Sequence, residues 1–284
     1  MVPEVSFVIP ARNEEQTIGA IVAKLVTMYP ESEIIVVNDG SSDATASVAI
    51  NAGATVINHV LSLGNGAAIK SGVRRAKSDV VVLMDADGQH EVEDVAILLD
   101  LYQQGYDLVV GARRGLKSHS STARWVANEF YNMLASLVTN SKILDLTSGF
   151  RVINRQKLLE VLYLLPNGFS YPTTSTMAFL RSGFQVSFKH VTVKPCLAGS
   201  HINPLKDGFR FLLIIFKVVM LYSPFKVFAP LALVQLFVGV MLYVPGLLSG
   251  APIFTNGMAF LMSGAVVTLS VAVLSEQLTV LLYK

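Results

Sequence analysis

The sequence predicts an α/β fold, a mostly parallel sheet covered by helices on both faces, followed by a membrane module. Three observations carry that prediction. Short apolar runs alternate with helical patterns up to about Asn203, polar clusters recur at the ends of those runs, and from Phe209 onward apolar stretches dominate. Of the 284 residues 52% are hydrophobic, the mean hydropathy is +0.53 and the formal net charge is +2, a balance too apolar for an ordinary soluble domain. The excess lies in the C-terminal part. Residues 1–204, of mixed composition, therefore read as one soluble domain of ordinary size.

Val5 to Ile9 is the first strand, the polar loop Pro10 to Glu15 follows, and a helical pattern runs from Gln16 to Met28. Ile34 to Val37 is the second strand. It runs into Asn38-Asp39-Gly40-Ser41-Ser42-Asp43, a turn with Ser41 or Ser42 as helix cap. Ala54 to Ile57, Val80 to Met84 and Leu108 to Gly111 complete the strand series, with helices over Asn65 to Lys77 and Val92 to Gln104. In such a fold ligands bind beyond the carboxyl ends of the strands, which is where Arg12-Asn13-Glu14, Asn38-Asp39-Gly40 and Asp85-Ala86-Asp87 lie.

The fourth strand carries the chemistry. Val80 to Leu83 reads as buried on both faces and delivers Asp85 and Asp87, one residue apart, to a loop. Alternate positions of an extended chain share a face, so the two carboxylates can converge on a hard divalent cation, Mg²⁺ or Mn²⁺, which Gln89 can join through its amide oxygen. The other reading is a solvated turn after a core strand. Asp39 can accept from the N–H groups of a uracil or guanine edge and Glu14 can hold a ribose hydroxyl; each is equally a cap or turn residue. Gly64 to Lys70 opens the third helix, where glycines permit close backbone approach and amides favour an anion, so Gly64 and Lys70 join the nucleotide-site candidates. Neither GxGxxG after the first strand nor GxxxxGK[ST] is present, which removes a Rossmann dinucleotide site and a P-loop.

Asn38-Asp39-Gly40-Ser41-Ser42-Asp43, followed by Asp85-Ala86-Asp87-Gly88-Gln89-His90, resembles the GT-A fold of family 2 glycosyltransferases, in particular the dolichyl-phosphate mannose synthase branch. The resemblance implies that Asp39 contacts the base, that Asp85, Asp87 and Gln89 are metal ligands, and that Pro10, Arg12, Asn13, Glu14 and Ala86 belong to the nucleotide pocket. Asp145-Leu146-Thr147-Ser148-Gly149-Phe150-Arg151 is similar to the SGFR element of polyprenyl-phosphate glycosyltransferases, in which such arginines hold the acceptor phosphate. By that likeness Arg113, Arg114, Arg124, Asn128 and Arg151 face the acceptor, Arg124 and Asn128 sharing a helix face at i and i+4; a solvated basic face is the alternative. Two departures stand out. Gly149 occupies a place where some relatives carry Asp, and Tyr171 to Met177 lacks the Glu of many family 2 enzymes. Both favour an acceptor that is already an anion.

Phe184 to Val193 reads as a further strand, and Pro195 to Pro204 as a loop in which His201 touches phosphate or is surface. Residues 205–222 read as an interfacial helix, with Lys206, Arg210 and Lys217 near one face to meet anionic headgroups. Spans over 227–248 and 258–283 then form a hairpin, interrupted by Gln235 and the tolerated Pro230 and Pro245. Lys206, Arg210, Lys217 and Lys226 ahead of the first span, with no Lys or Arg in the 249–257 turn, place the catalytic domain on the cytoplasmic side. Glu276 either pairs within an oligomer or lies near the headgroups. The start lacks a basic n-region, and Cys196 stands alone, so neither a signal peptide nor an intramolecular disulfide is expected.

The expected function is transfer of a sugar from a UDP- or GDP-sugar to a polyprenyl phosphate, undecaprenyl or dolichyl, with inversion by family likeness. The protein would sit in the inner membrane, contact membrane lipids, pack with copies of itself and take no nucleic-acid partner. The alternatives are transfer to a lipid or polysaccharide hydroxyl and a non-catalytic nucleotide-sugar-binding scaffold. The QxxRW motif of processive synthases is absent, the lone Trp125 lying in Arg124-Trp125-Val126.

Overall fold

The computed structural model describes residues 4–113, 122–168, 170–193, 216, 220, 223–250 and 254–282, the side chains of 122–127 and 282 excepted. The chain divides into two units, Met1–Ile214 and Ile215–Lys284.

In the first unit strands and helices alternate as β1 (Val5–Ala11), α1 (Ile18–Met28), β2 (Glu33–Asp39), α2 (Thr45–Asn51), β3 (Thr55–His59), α3 (Asn65–Arg75), β4 (Val80–Leu83), α4 (Asp94–Tyr102) and β5 (Leu108–Arg113). They are followed by α5 (Thr122–Thr139), β6 (Arg151–Asn154), α6 (Arg155–Val161), α7 (Tyr171–Arg181) and β7 (Val186–Val191). The seven strands form one sheet in the order β3-β2-β1-β4-β6-β5-β7. β4 is central, and all four of its residues are buried, as its unbroken apolar run requires. On α1 the buried residues Ile18, Ile21, Val22 and Leu25 follow the i, i+3, i+4, i+7 spacing of a helix facing a core. Burying such a side chain fully contributes about 1.5–3 kcal/mol.

Two features of the sheet place the site. The chain winds from β1 outward through β2 to β3 and then returns to β4 on the other side of β1, so a crevice opens between β1 and β4 at their carboxyl ends. β6 is antiparallel to both β4 and β5 and was not expected as a strand. Its four residues open on an arginine, and an apolar pair of this length carries no strand periodicity. Only pairing with the two neighbouring strands specifies it.

In the second unit α8 (Phe225–Leu248) and α9 (Asn256–Leu282) are long and apolar enough to cross a bilayer, and their most apolar windows are only 11% and 17% buried. They meet along a seam of mostly small side chains. Ala232 and Gly239 of α8 are buried there, with Met258, Ala265, Ala272 and Thr279 of α9 recurring every seven residues. Thr268 donates to Gln235 across the pair at 3.0 Å, and Glu276 accepts from the Ser223 hydroxyl at 3.0 Å and the Phe225 amide at 3.3 Å. Glu276 thus caps the start of α8, a role the sequence reading did not foresee. Of the expected interfacial segment only residues 216 and 220 are described.

Candidate active site

Asp85 and Asp87 leave β4 at the mouth of the crevice. The antiparallel register pairs Val80 with Asn154 and Leu83 with Arg151, so continuing the ladder sets Asp85 opposite Gly149. A Cβ on Gly149 would come within 2.9 Å of the Asp85 carboxyl carbon. Glycine is therefore the residue that leaves Asp85 its place. Burial and the neighbouring charge of Asp87 push the Asp85 carboxyl up to about 6, against the pull of Arg113 and Arg151, and burial also raises Asp87.

A cavity of about 460 Å³ opens beside them. Among the expected nucleotide-site residues, Pro10, Arg12 and Glu14 line it from the end of β1, Asp39 from β2, Gly64 before α3, and Asp85 and Ala86 after β4. Ala11, Ser62, Asn65, Ala68, Asp87 and Gly168 complete the wall. Thr17 ties two of these segments together, donating to the Ala86 carbonyl at 2.7 Å and to Glu14 at 3.2 Å. Burial and the charge of Asp87 raise the Glu14 carboxyl.

Asp39 is 4% exposed and accepts four hydrogen bonds: His59 Nδ1 at 2.7 Å, Leu63 N at 2.9 Å, Ser62 Oγ at 2.8 Å and Gly64 N at 2.8 Å. Although burial works the other way, these donors hold its carboxyl at about 2. Asn13 and Lys70 are not part of the cavity wall. Asn13, at φ +57°, accepts from the Ser42 amide at 2.9 Å and donates its own amide to Ser41 Oγ at 3.0 Å, fastening the β1 loop to the β2 loop. The Lys70 ammonium donates to Asn167 Oδ1 at 2.9 Å.

The start of α3 corrects a second expectation. Three of its amides are already taken by the chain: Gly64 N donates to Asp39, Gly66 N to the Gly168 carbonyl at 3.2 Å and Ala67 N to the Asn167 carbonyl at 2.8 Å. The glycines serve contact with that segment instead. A Cβ on Gly64, which has φ +102°, would lie 2.6 Å from the Asn167 carbonyl oxygen, and one on Gly66 would meet the Pro166 carbonyl.

On the other side of the carboxylates, Arg113 at the end of β5 grips Asp145, Nε to Oδ2 at 2.7 Å and Nη2 to Oδ1 at 3.0 Å. Its Nη2 also donates to Thr147 Oγ1, whose hydroxyl is shared between Asn128 Oδ1 and Asp145 Oδ1 at 3.1 Å each. Arg113 and Asn128, both expected at the acceptor, thus meet through Thr147. The charge of Arg113 is felt by Asp85 and Asp87. Asp145 is held at about 2: burial opposes this, and the hydrogen bonds and charge of Arg113 and the Thr147 amide outweigh it.

Arg151 does not reach an acceptor. It is fully buried, with Nε donating to the Ser148 carbonyl at 3.2 Å and Nη1 to the Pro172 carbonyl at 3.0 Å and Ser175 Oγ at 2.8 Å; Nη2 also donates to the Ser148 carbonyl. The guanidinium joins β6 to α7 behind Asp85, and a phosphate has no access to it. Arg114, the side chain of Arg124 and His201 lie outside the described residues.

Glycosyl transferase family 2 matches residues 6–162 of the chain. The chain belongs to that family. The GtrB C-terminal hairpin matches residues 223–281, the segment of α8 and α9, and marks this family 2 glycosyltransferase as membrane-associated. The enzyme is similar to a polyprenol monophosphomannose synthase of Mycolicibacterium smegmatis, 30% identical over 63% of this chain and 73% of that one. It is also similar to a dolichyl-phosphate hexose transferase of Haloferax volcanii, 31% identical over 59% and 73%. Among solved structures, glucosyl-3-phosphoglycerate synthase from Mycobacterium tuberculosis, in complex with Mn²⁺, uridine diphosphate and phosphoglyceric acid, shares the GT-A fold. Its TM-score is 0.62 at 21% identity, covering 76% of this chain and 78% of that one.

The donor set of this glycosyltransferase suits a hard divalent cation. The charge of Asp87 raises the cost of ionising Asp85, burial raises that of both, and Asn65 Oδ1, on the cavity wall, is buried without a hydrogen-bond partner. Gln89 lies beyond the cavity wall and gives its backbone amide to Asp87 at 3.0 Å. Among the described residues no group of three or more His, Cys, Asp or Glu gathers, so a cation here would complete its shell from amide, water or ligand oxygens. Sequence reasoning missed Ser62, Asn65, Asp145 and Thr147 as site residues. The Asp-Leu-Thr triplet ahead of Ser148 was the available signal for the last two, since short polar side chains before a strand are how a loop holds an arginine.

Proposed function

We propose that the enzyme transfers a sugar from a UDP- or GDP-sugar to a polyprenyl phosphate at the cytoplasmic face of a membrane. One observation supports this reading: Arg113 is fixed by Asp145 and Thr147 on the side of Asp85 and Asp87 away from β1, and in this reading its guanidinium charge offsets that of the incoming phosphate. The names of the mycobacterial and haloarchaeal relatives support the same class of acceptor.

The chemistry needs no base. A phosphate monoester has a second pKa near 6 and is mostly a dianion at neutral pH. Its oxygen forms the bond to the anomeric carbon while the bond from that carbon to the donor's diphosphate breaks, the electron pair leaving with the nucleoside diphosphate. No proton moves. Arg113 and Asn128, with Arg124, offset and aim the incoming anion. The helix α7 buries every residue from Tyr171 to Phe179 and brings no carboxylate inward, and the hydroxyls of Thr173, Ser175 and Thr176 bond backbone carbonyls. Gly149 likewise offers no carboxylate. Asp85 and Asp87, with Gln89, would hold a divalent cation, Mg²⁺ or Mn²⁺, which would supply positive charge to offset that of the diphosphate leaving group.

Residues 1–204 form the catalytic domain in this reading. Residues 205–222 lie in the interface, and 227–248 and 258–283 span the bilayer. The test is nucleoside-diphosphate release by purified protein in detergent, over UDP- and GDP-sugars with Mn²⁺, with and without undecaprenyl phosphate. Release that requires the lipid phosphate and is lost in Asp87→Ala is the expected result; lipid-independent release would return the hydroxyl-acceptor reading.

A further inference from the structure

The hydrogen bonds on Asp39 bear on which base the cavity admits. A carboxylate offers about four lone-pair positions. Here Oδ1 takes His59 Nδ1 and Leu63 N, and Oδ2 takes Ser62 Oγ and Gly64 N. All four positions are filled by the chain itself.

Three of the four donors are held in place. The Leu63 and Gly64 amides belong to a loop pressed against Gly40, where a Cβ would come 2.7 Å from Ser62 N and 3.0 Å from the Leu61 carbonyl carbon. Gly40 has φ +67°, so this close approach is built into the turn. His59 is clamped at its other nitrogen by Ser71 Oγ at 2.9 Å. Ser62 differs from these. It is exposed, it lines the cavity, and its hydroxyl turns about one side-chain torsion. An incoming base can therefore take a single position on Asp39, the one that Ser62 vacates on Oδ2.

We propose that the cavity reads uracil rather than guanine, so that the donor is a UDP-sugar, and that Ser62 sets its affinity by occupying the place of the base N–H on Asp39. Uracil presents one ring N–H between two carbonyls, which matches one open acceptor. Guanine presents a ring N–H and an exocyclic amine on the same edge, and pairs with a carboxylate through both oxygens. With Oδ1 closed, one guanine donor enters the site without an acceptor, at a cost equivalent to roughly 10- to 100-fold in affinity. The inference rests on the donor-site reading given above and narrows it.

The experiment is calorimetric titration of UDP and of GDP into the full chain in detergent with Mn²⁺, for the wild type, Ser62→Ala and Asp39→Asn. UDP should bind at least about tenfold more tightly than GDP, from the unmatched donor. Ser62→Ala removes the competitor and should tighten UDP by roughly two- to tenfold, the worth of one hydrogen bond, while the order of the two nucleotides is kept. Asp39→Asn should erase most of the preference. Equal or tighter GDP binding overturns the inference, as does a Ser62→Ala variant that binds UDP no better than the wild type. Failure of both nucleotides to bind would sink the donor-site reading and this inference with it. A UDP preference without lipid-dependent release would leave the inference standing and sink only the acceptor.

Discussion

Arg113 and Asp145 form a two-pronged ion pair, with Nε to Oδ2 at 2.7 Å and Nη2 to Oδ1 at 3.0 Å. The pair exists because antiparallel β6 carries the segment before it alongside the end of β5, where Val110 faces Arg151 and the Gly111 amide donates to the Phe150 carbonyl at 2.9 Å. Asp145, together with Thr147, thereby holds the Arg113 guanidinium in one rotamer.

Asp145→Asn should leave Arg113 loosely placed. Acceptor-dependent release is expected to fall at least about tenfold, and stability by about 2–3 kcal/mol, since a buried partner of a charged hydrogen-bond pair is lost. Thermal unfolding of both proteins reads the second effect. The carboxyl is depressed to about 2 from 3.8, so its stabilisation is complete above about pH 4 and is lost as the pH falls towards 2. The difference between wild type and variant should therefore be flat near neutrality and shrink in acid.

Gly149→Ala tests the register across β4 and β6. Its Cβ would strike the Asp85 carboxylate, so the acid must turn away from the crevice. Activity should drop about a hundredfold or more while the fold survives, judged by an unchanged circular dichroism spectrum. Full activity would mean that Asp85 need not hold its present place.

Asp85→Asn separates stability from function. The folded carboxyl sits at about 6, above 3.8, so ionising it at neutral pH costs folding free energy; that cost vanishes as the pH falls below the lower value. In EDTA the variant should be more stable than the wild type by about 1–3 kcal/mol, with no transferase activity. Added Mn²⁺ should raise the melting temperature of the wild type and leave that of Asp85→Asn unmoved.

Arg151→Lys distinguishes a buried tie from a phosphate ligand. A lysine cannot reproduce the fork that reaches Ser148, Pro172 and Ser175 together, and its charge would remain buried. A loss of about 3 kcal/mol is expected, from a buried charge left short of partners. The folded fraction should show an acceptor KM within about twofold of the wild type. A raised KM at unchanged stability would place Arg151 at the acceptor after all.

Much of this protein was written into short-range pattern. The unbroken run ending at Leu83 made β4 a central strand, the alternation of apolar runs with helices made a largely parallel sheet, and two long stretches with almost no charge made the hairpin of α8 and α9. Those features follow from periodicity and hydrophobicity, which a residue carries wherever it goes. What Arg151, Asp39 and the glycines of α3 do was decided elsewhere. Each depends on partners distant in the chain: Pro172 and Ser175 for Arg151, Ser62 to Gly64 for Asp39, and Pro166 to Gly168 for Gly64 and Gly66. An arginine or an aspartate reads the same in sequence whether its hydrogen bonds go to a ligand or to its own backbone. Only the packing of β6 against β4, and of the 166–168 segment against α3, settles which, because a buried polar group must be satisfied by whatever the fold brings within reach.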